Sequence, residues 1–446
     1  VDIEVKVKVL IAIHGFPPTY YAGSERAAER IAQWLVAHEH HVEVFTCEKL
    51  DEPNLHVDTS TENGIIIHRL NYDLKAGDYF QNLYDDPRIG EAFQQVLAQN
   101  TFDVVHVVSG YLLGGQVIHR AKAAGIPVVL TLTEFWFMCF RLNLLKVNNE
   151  MCVGPETDEK CMRCILEDQR RFRLPAQKAP TVMDAFWDIA KHAPFAHKQT
   201  SGVTRRRETL MEAVAAADVV ICPSYFLMNK FKEYGYRMDK AEYLLYGIKQ
   251  PTAEQREAAI EQRQSDTLRV GYVGQIKVHK GVDVLTNAVM PLLDRGGALN
   301  LNLWGTKKGA AKYGNLLEEQ TAAYENICWS GSYNANQLWD VLGGFDVLVV
   351  PSRWYENSPT VILEAFAMGI PVIATDLGSM PELVKHEVNG LLFEKDNIED
   401  LRAQIQRLLD EPDLLAKLRA GIPSVPTIDD EVGAFYAHYQ KLTGEL

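Results

Sequence analysis

Residues 347–374 read VLVVPSRWYENSPTVILEAFAMGIPVIA, and this stretch decides the fold. VLVV is a short apolar run with no alternation, the pattern of a strand buried on both faces. Ser358 is a good N-cap and Pro359 suits the first position of a helix. Gly369 ends that helix, Pro371 prevents its continuation, and VIA begins a second buried strand. Strand, helix and strand in this order build a parallel sheet covered by helices. At about 100° per residue, Val361, Ile362, Leu363, Ala365, Phe366, Ala367 and Met368 cover nearly every face, which predicts a helix buried on all sides. A carboxylate in such a helix, Glu364, needs a partner. A second, Glu356, stands eight residues earlier.

The same alternation runs through most of the 446 residues. Candidate strands are Val9–Ile13, Val42–Phe45, Val104–Val108, Val128–Leu132 and Val219–Cys222. A second series follows at Arg269–Val273, Asn300–Leu303, Val347–Val350 and Val372–Ala374. Amphipathic stretches such as Ala27, Ala28, Ile31, Ala32, Leu35 and Val36 lie between them at helical spacing. The length exceeds one ordinary core, so the pattern predicts an α/β protein of two doubly wound domains, with ligands in a shared cleft at strand carboxyl ends. The polar stretch AEQREAAIEQRQSD at 253–266 is expected to separate them, with a hinge near Gly247 to Pro251. The expected division is 1–247, 248–424, and a final helix within 425–446 that returns to the first domain through Val432, Phe435, Tyr436, Tyr439 and Leu442.

Composition narrows the function classes. With 47% hydrophobic and 23% charged residues the chain reads as ordinary globular protein. A formal charge of −14 excludes a general nucleic-acid binder. The basic stretches RRFR at 170–173 and RRR at 205–207 are either solvated faces or a patch meeting anionic lipid or a charged acceptor. Peripheral membrane contact is thus open, whereas no apolar run approaches the roughly 18 residues of a membrane span. The opening VDIEVKVKVLIAI reads as an entering strand without the basic start and apolar core of a secretory signal, and a cytoplasmic protein is expected.

The helix after VLVV starts at the carboxyl end of a parallel strand, so the N–H groups of Thr360 and Val361 offer an anion site suited to phosphate. A second loop, GYVGQIKVHKG at 271–281, complements it. Gly274 lets a ligand approach the backbone, and Lys280 can place an ammonium on a phosphate oxygen. Together they point to a diphosphate. Glu364, just over a turn into the helix, can reach paired hydroxyls such as a ribose diol, and Glu356 can meet the group attached to the diphosphate. The alternative pairs Glu364 with a core arginine and leaves Glu356 an exposed loop acid.

These residues also resemble a known family. The Glu–seven residues–Glu element in YENSPTVILEAFAMGIPVIATD, continuing GSMPELVKHEVNGLLF, is similar to the nucleotide-sugar motif of family-4 retaining glycosyltransferases. GQIKVHKGVDVL and HGFPPTYYAGSERAAERIAQWLVAHEHHVEVFT resemble the same family, in the same order along the chain. The resemblance implies a GT-B fold, two Rossmann-like domains with a nucleotide-diphosphate sugar bound mainly by the second. It implies that Glu364 holds the ribose, Glu356 the donor sugar and Lys280 the diphosphate, with Gly23 on a loop approaching from the first domain. Gly274, Gln275, Asn357, Ser358, Pro359, Thr360 and Val361 complete the implied donor site. Glu356 and Lys280 are the implied catalytic groups, and no catalytic metal is expected, because Lys280 and the helix dipole can neutralise the leaving diphosphate. The implied acceptor is a sugar, a lipid-linked glycan or a small molecule. A non-catalytic nucleotide-sugar-binding protein is the alternative, as is another GT-B enzyme such as a phosphorylase or epimerase.

Two positions depart from the family pattern. Gln275 stands where an arginine is frequent, leaving Lys280, with or without Lys277, to neutralise phosphate. TLTEFW places Thr133 where many members carry a histidine, and Thr133 cannot carry positive charge. Glu134 beside it either contacts the acceptor or caps the next element. His14 and His106 read as satisfied core histidines.

Four of seven cysteines are grouped as Cys-x12-Cys-x8-Cys-x2-Cys: Cys139, Cys152, Cys161 and Cys164. The spacing suits tetrahedral zinc, with an iron–sulfur cluster or four ordinary reduced thiols as alternatives. The surrounding insertion, about 135–200, has little regular pattern, so a structural metal is expected to fold it and shape the acceptor pocket. A subset of the resembling family carries cysteines here, which supports the metal. Cys47, Cys222 and Cys328 read as small buried strand residues.

Overall fold

A computed structural model of the chain describes residues 6–49, 54–72, 80–192, 194–262 and 267–444. It divides into two units, one formed by Val1–Leu245 with Ile428–Leu446 and the other by Tyr246–Thr427. Residues 1–5 of the expected entering strand and 263–266 of the polar stretch lie outside the described residues.

In the first unit the strands are β1 (Lys8–Ile13), β2 (His41–Glu48), β3 (Val57–Glu62), β4 (Ile65–Asn71), β5 (Val104–Val108), β6 (Val128–Thr131), β7 (Val219–Cys222) and β8 (Ala241–Tyr243). They form one sheet in the order β3-β4-β2-β1-β5-β6-β7-β8. All pairs are parallel except the hairpin β3–β4. The central strands are buried on both faces, as their unbroken apolar runs require. The polar edge strand VDTSTE and the three-residue β8 carry no such signal and escape a reading based on apolarity.

Helix Ile428–Thr443 packs within this first unit. Val432, Phe435, Tyr436 and Tyr439 join the core under β1, β2 and β5. Arg30 meets buried Glu431 at 2.9 Å, and Trp34 Nε1 donates to Asp429 Oδ1 at 2.7 Å. His106, in the middle of β5, shares hydrogen bonds with the Tyr439 hydroxyl through Nδ1 (2.6 Å) and with the Thr131 hydroxyl through Nε2 (2.8 Å), one ring nitrogen donating and the other accepting. Burial, with His438 adding to it, pushes its pKa down to about 3. His106 is therefore a satisfied core histidine.

The insertion between β6 and β7 is mostly helical, against the expectation of little regular structure. Helices Asp158–Glu167, Arg170–Lys178, Pro180–Ala190 and Pro194–Ala216 enclose a small core of Met162, Leu166, Met183, Trp187 and Val203 with their neighbours. Met183, Trp187 and Ala190, at i, i+4 and i+7, supply the buried stripe.

In the second unit β9 (Leu268–Val273), β10 (Leu299–Trp304), β11 (Ile327–Gly331), β12 (Val347–Val350), β13 (Val372–Thr375) and β14 (Gly390–Phe393) form a wholly parallel sheet in the order β11-β10-β9-β12-β13-β14. Order reverses between β9 and β12, a topological switch point at which ligands collect. Part of the polar stretch expected to be a connector is instead helix Ala253–Gln262 of this unit. Ala259 is buried there because Gly343 leaves room for it, and Arg256 reaches the Ala367 carbonyl. Cys47 and Cys222 are buried as expected, whereas Cys328 is exposed, because β11 is an edge strand and the side chain points off the sheet.

Candidate functional site

At the switch point, the loop after β12 faces the loop after β9. The helix begins at Thr360 rather than Pro359: Pro359 has ψ 105°, outside the helical region, and occupies the N-cap position. Ser358 makes no capping bond; its hydroxyl is buried without a hydrogen-bond partner at the helix start. The helix is not enclosed on all sides either. Ile362, Leu363, Ala365, Phe366 and Ala367 are buried, while Thr360, Val361 and Glu364 are only partly so. Positions i, i+1 and i+4 share one face, so Glu364 lies on the open edge, one turn below the helix start. The helix sits on β12 and β13, whose apolar contacts fill the buried faces and leave this edge to solvent.

Glu356 is not an exposed loop acid. Its side chain is 11% exposed, and Lys280 Nζ lies 2.6 Å from Oε1. Ser352 Oγ and Trp354 Nε1 donate to the same oxygen, each at 2.7 Å. Burial raises the carboxyl pKa, but Lys280 and these donors outweigh it, and the net shift is downward. Oε2 receives no hydrogen bond among the described residues. The Lys280 ammonium also lies 4.8 Å from the Trp354 ring centre, and His279 packs on the same ring at 4.6 Å. Burial first, and Lys280 second, push the His279 pKa down to about 4, so this imidazole is neutral at pH 7.

The two loops are tied together by groups outside the motif. The Arg353 guanidinium makes a bidentate pair with Asp283 (2.8 and 2.7 Å) and meets Asp396. Its backbone N–H donates to the His279 carbonyl at 2.8 Å. Tyr313 OH donates to Asp283 Oδ1 at 2.5 Å. Gly281 has φ +70°, and a Cβ there would stand 1.9 Å from the Pro351 carbonyl oxygen. Gly274 opens the loop after β9, and the Gln275 carbonyl accepts from Tyr272 OH at 2.8 Å. Asn357 lies in the connecting loop. Trp354, Ser352, Arg353 and His279 escaped the sequence reading; their proximity to Glu356 and Lys280 in sequence was the available signal.

In the first unit, polar residues gather at the carboxyl ends of β1, β5 and β6. His14 is not a satisfied core histidine. Its Nε2 lies 3.3 Å from Glu25 Oε1, and its Nδ1 is buried without a hydrogen-bond partner. Burial raises the Glu25 pKa, but His14 outweighs it and the net shift is downward. The correction follows from position, since His14 is the first residue past β1 whereas His106 is inside β5. The Tyr111 ring meets His14 edge-on at 5.0 Å. Glu134 Oε1 accepts from Ser109 Oγ at 2.6 Å, and Oε2 accepts from the Trp136 N–H at 3.2 Å, which caps the turn after β6. Burial raises its pKa. Thr133 precedes it, partly exposed. Gly23 begins helix Gly23–Ala37, which has no side-chain cap, and the space beside it is open.

The four grouped cysteines line one cavity of about 250 Å³. All are free thiols, and burial pushes Cys161 and Cys164 up to about 12. Burial raises the Cys139 pKa as well, with the Arg141 and Leu144 backbone opposing it. Among the described residues no three His, Cys, Asp or Glu side chains are gathered closely enough to hold a metal ion. Of the basic run at 205–207, Arg205 is exposed, Arg206 is buried over the Trp136 ring and bonds its carbonyl, and Arg207 is partly exposed in a pair with Asp158 at 2.9 Å.

Comparison with known proteins places both halves of the chain. Residues 22–148 match the model described as glycosyl transferase 4-like domain, and residues 254–423 that of glycosyl transferases group 1. Each unit thus carries a match to a glycosyl transferase model, neither of which covers half of the chain. The D-inositol 3-phosphate glycosyltransferase of Rhodococcus opacus is 31% identical over 160 residues, 34% of this chain and 36% of that protein. The chain matches about a third to a half of the length of such curated relatives. Sucrose-phosphate synthase from Thermosynechococcus elongatus superposes with TM-score 0.66 at 19% identity, covering 99% of this chain and 100% of that one. Anabaena HepE in complex with UDP and glucose superposes with TM-score 0.61 at 15% identity, covering 99% and 100%. These likenesses show the fold: two parallel-sheet Rossmann-like domains of the GT-B class.

Proposed function

We propose that this chain, whose two halves match glycosyl transferase domains in GT-B order, moves a sugar from a nucleotide-diphosphate sugar to an acceptor hydroxyl. The observation that carries the reading is the Lys280–Glu356 pair beside the helix start, with the orphaned Ser358 hydroxyl between ordered loops. A buried hydroxyl without a partner fits a site completed by a polar ligand. The free N–H groups at the helix start and the Lys280 ammonium suit a diphosphate, and Glu364 lies one turn further along the open edge, where a ribose diol fits. Glu356, held ionised by three donors on Oε1, offers Oε2 to a sugar hydroxyl. That structures of the same fold contain UDP is consistent with this assignment.

Transfer breaks the bond between the anomeric carbon and the diphosphate oxygen, whose charge Lys280 and the helix dipole stabilise as it develops. His279, neutral at pH 7, adds no second cation. We assign retention of anomeric configuration, with the acceptor hydroxyl approaching from the leaving-group side and giving its proton to a departing phosphate oxygen. Thr133 and Glu134 are the proposed acceptor contacts, and Gly23 the proposed approach of the first unit to the donor. Incubation with a panel of nucleotide sugars, followed by NMR of the product anomer, tests the reading. Turnover with retention supports it; nucleotide binding without transfer or donor hydrolysis would assign a sensor instead.

For the four cysteines we propose a structural metal ion, zinc in the first instance. Four sulfur donors lining a single cavity suit such an ion. Bound there, it would hold the helical insertion to the turn that follows Glu134. Elemental analysis should find about one zinc per chain. Cys161→Ser with Cys164→Ser should abolish it and lower the melting temperature; a metal-free wild type of unchanged stability contradicts the assignment.

A further inference from the structure

We infer that helices Arg170–Lys178 and Pro180–Ala190 form a face that docks on an anionic lipid surface. Helix Pro180–Ala190 has two apolar faces. Met183, Trp187 and Ala190 are buried in the core of the insertion. Val182, Phe186 and Ile189 repeat the i, i+4, i+7 spacing one residue earlier and are 66%, 41% and 79% exposed. Leu174 on the preceding helix is 65% exposed. The two acids of the helix, Asp184 and Asp188, lie on the remaining side, paired with Arg163 and Lys191. A solvent-facing apolar stripe of this kind is what an interfacial helix presents to a bilayer.

Charge selects the lipid. Residues 170–198 hold six lysines and arginines against two aspartates, in a chain whose formal charge is −14. One basic group adjoins the stripe directly: the Arg171 guanidinium lies 4.8 Å over the Phe172 ring, which packs against Phe186 at 6.0 Å. Lys178 and Lys198 are exposed, and Arg173 is half exposed in a surface pair with Asp168 that a lipid phosphate can replace. Each such residue near an anionic surface contributes about fivefold in affinity. Contact is confined to the surface, since no helix among the described residues is long and apolar enough to cross a membrane.

Co-sedimentation with vesicles of phosphatidylcholine containing about 30% phosphatidylglycerol, against phosphatidylcholine alone, tests this. Binding to the anionic vesicles should be at least about tenfold tighter and weaken with salt. Val182→Ser with Phe186→Ser and Ile189→Ser should reduce it about tenfold or more, as should Arg171→Ala with Lys178→Ala and Lys198→Ala, with nucleotide binding unchanged. Should circular dichroism show the triple serine variant unfolded, Ile189→Ser alone is read, with a loss of about threefold expected. Equal binding to both vesicles, none to either, or retention by both variants overturns the proposal. So does a concentration-dependent dimer abolished by the serine substitutions without vesicle binding, which assigns the face to a second copy.

Discussion

Three donors on one carboxylate oxygen make Glu356 an oriented, ionised group in a largely dry loop. The lowered pKa has a consequence for stability. The ionised form is favoured in the folded protein, so its contribution is complete above the ordinary value of 4.5 and is lost as pH falls through the lowered one. Glu356→Gln should therefore cost about 1–3 kcal/mol at neutral pH, and urea denaturation should show the gap to wild type closing as pH falls below 4.5. A constant gap contradicts the ionised pair. In transfer, Glu356→Ala should lower kcat about a hundredfold or more with little change in nucleotide affinity. Glu364→Ala should instead weaken nucleoside diphosphate binding about tenfold, the loss of a hydrogen bond to a charged group. Equal and negligible effects would retire both roles.

At the scale of elements, close approach of backbones decides where the loops lie. Gly281 brings the loop after β9 against the loop after β12 in a left-handed conformation, and a Cβ there would stand 1.9 Å from the Pro351 carbonyl oxygen. Gly281→Ala should cost about 1–3 kcal/mol from the backbone alone, and more from the contact, seen as a lower denaturation midpoint. An unchanged midpoint would show that the loop is not so constrained. Legibility followed from the same physics. Strands such as VLVV and VVHVV were readable because sheets covered on both faces demand unbroken apolar runs. The strands VDTSTE and ICWSG were not, because an edge strand has a face in water. Ala253–Gln262 looked like a connector because Ala259, its buried contact, is too small to stand out among charged neighbours. Glu356 and Glu364 stood out as candidates beside an expected helix start, and Lys280 in the glycine loop at 271–281, and the structure pairs Glu356 with Lys280. Arg353 and Trp354 were not, because their roles depend on Asp283 and Lys280, some 70 residues away in sequence.

At the scale of the molecule, the last helix completes the first unit across more than 300 residues of chain: Tyr439 closes on His106 and Glu431 on Arg30. Tyr439→Phe leaves a buried imidazole nitrogen unpartnered and should cost about 1–3 kcal/mol by chemical denaturation; no loss would mean the hydroxyl is dispensable. Those contacts make the fold, whereas the proposed activity rests on the second unit gripping a diphosphate. Calorimetric titration of nucleoside diphosphates into the wild type and Lys280→Ala tests that grip most directly. At least one nucleoside diphosphate should bind the wild type, with affinity falling about tenfold or more on loss of the ammonium. Binding of none of them, or equal binding by the variant, would contradict it.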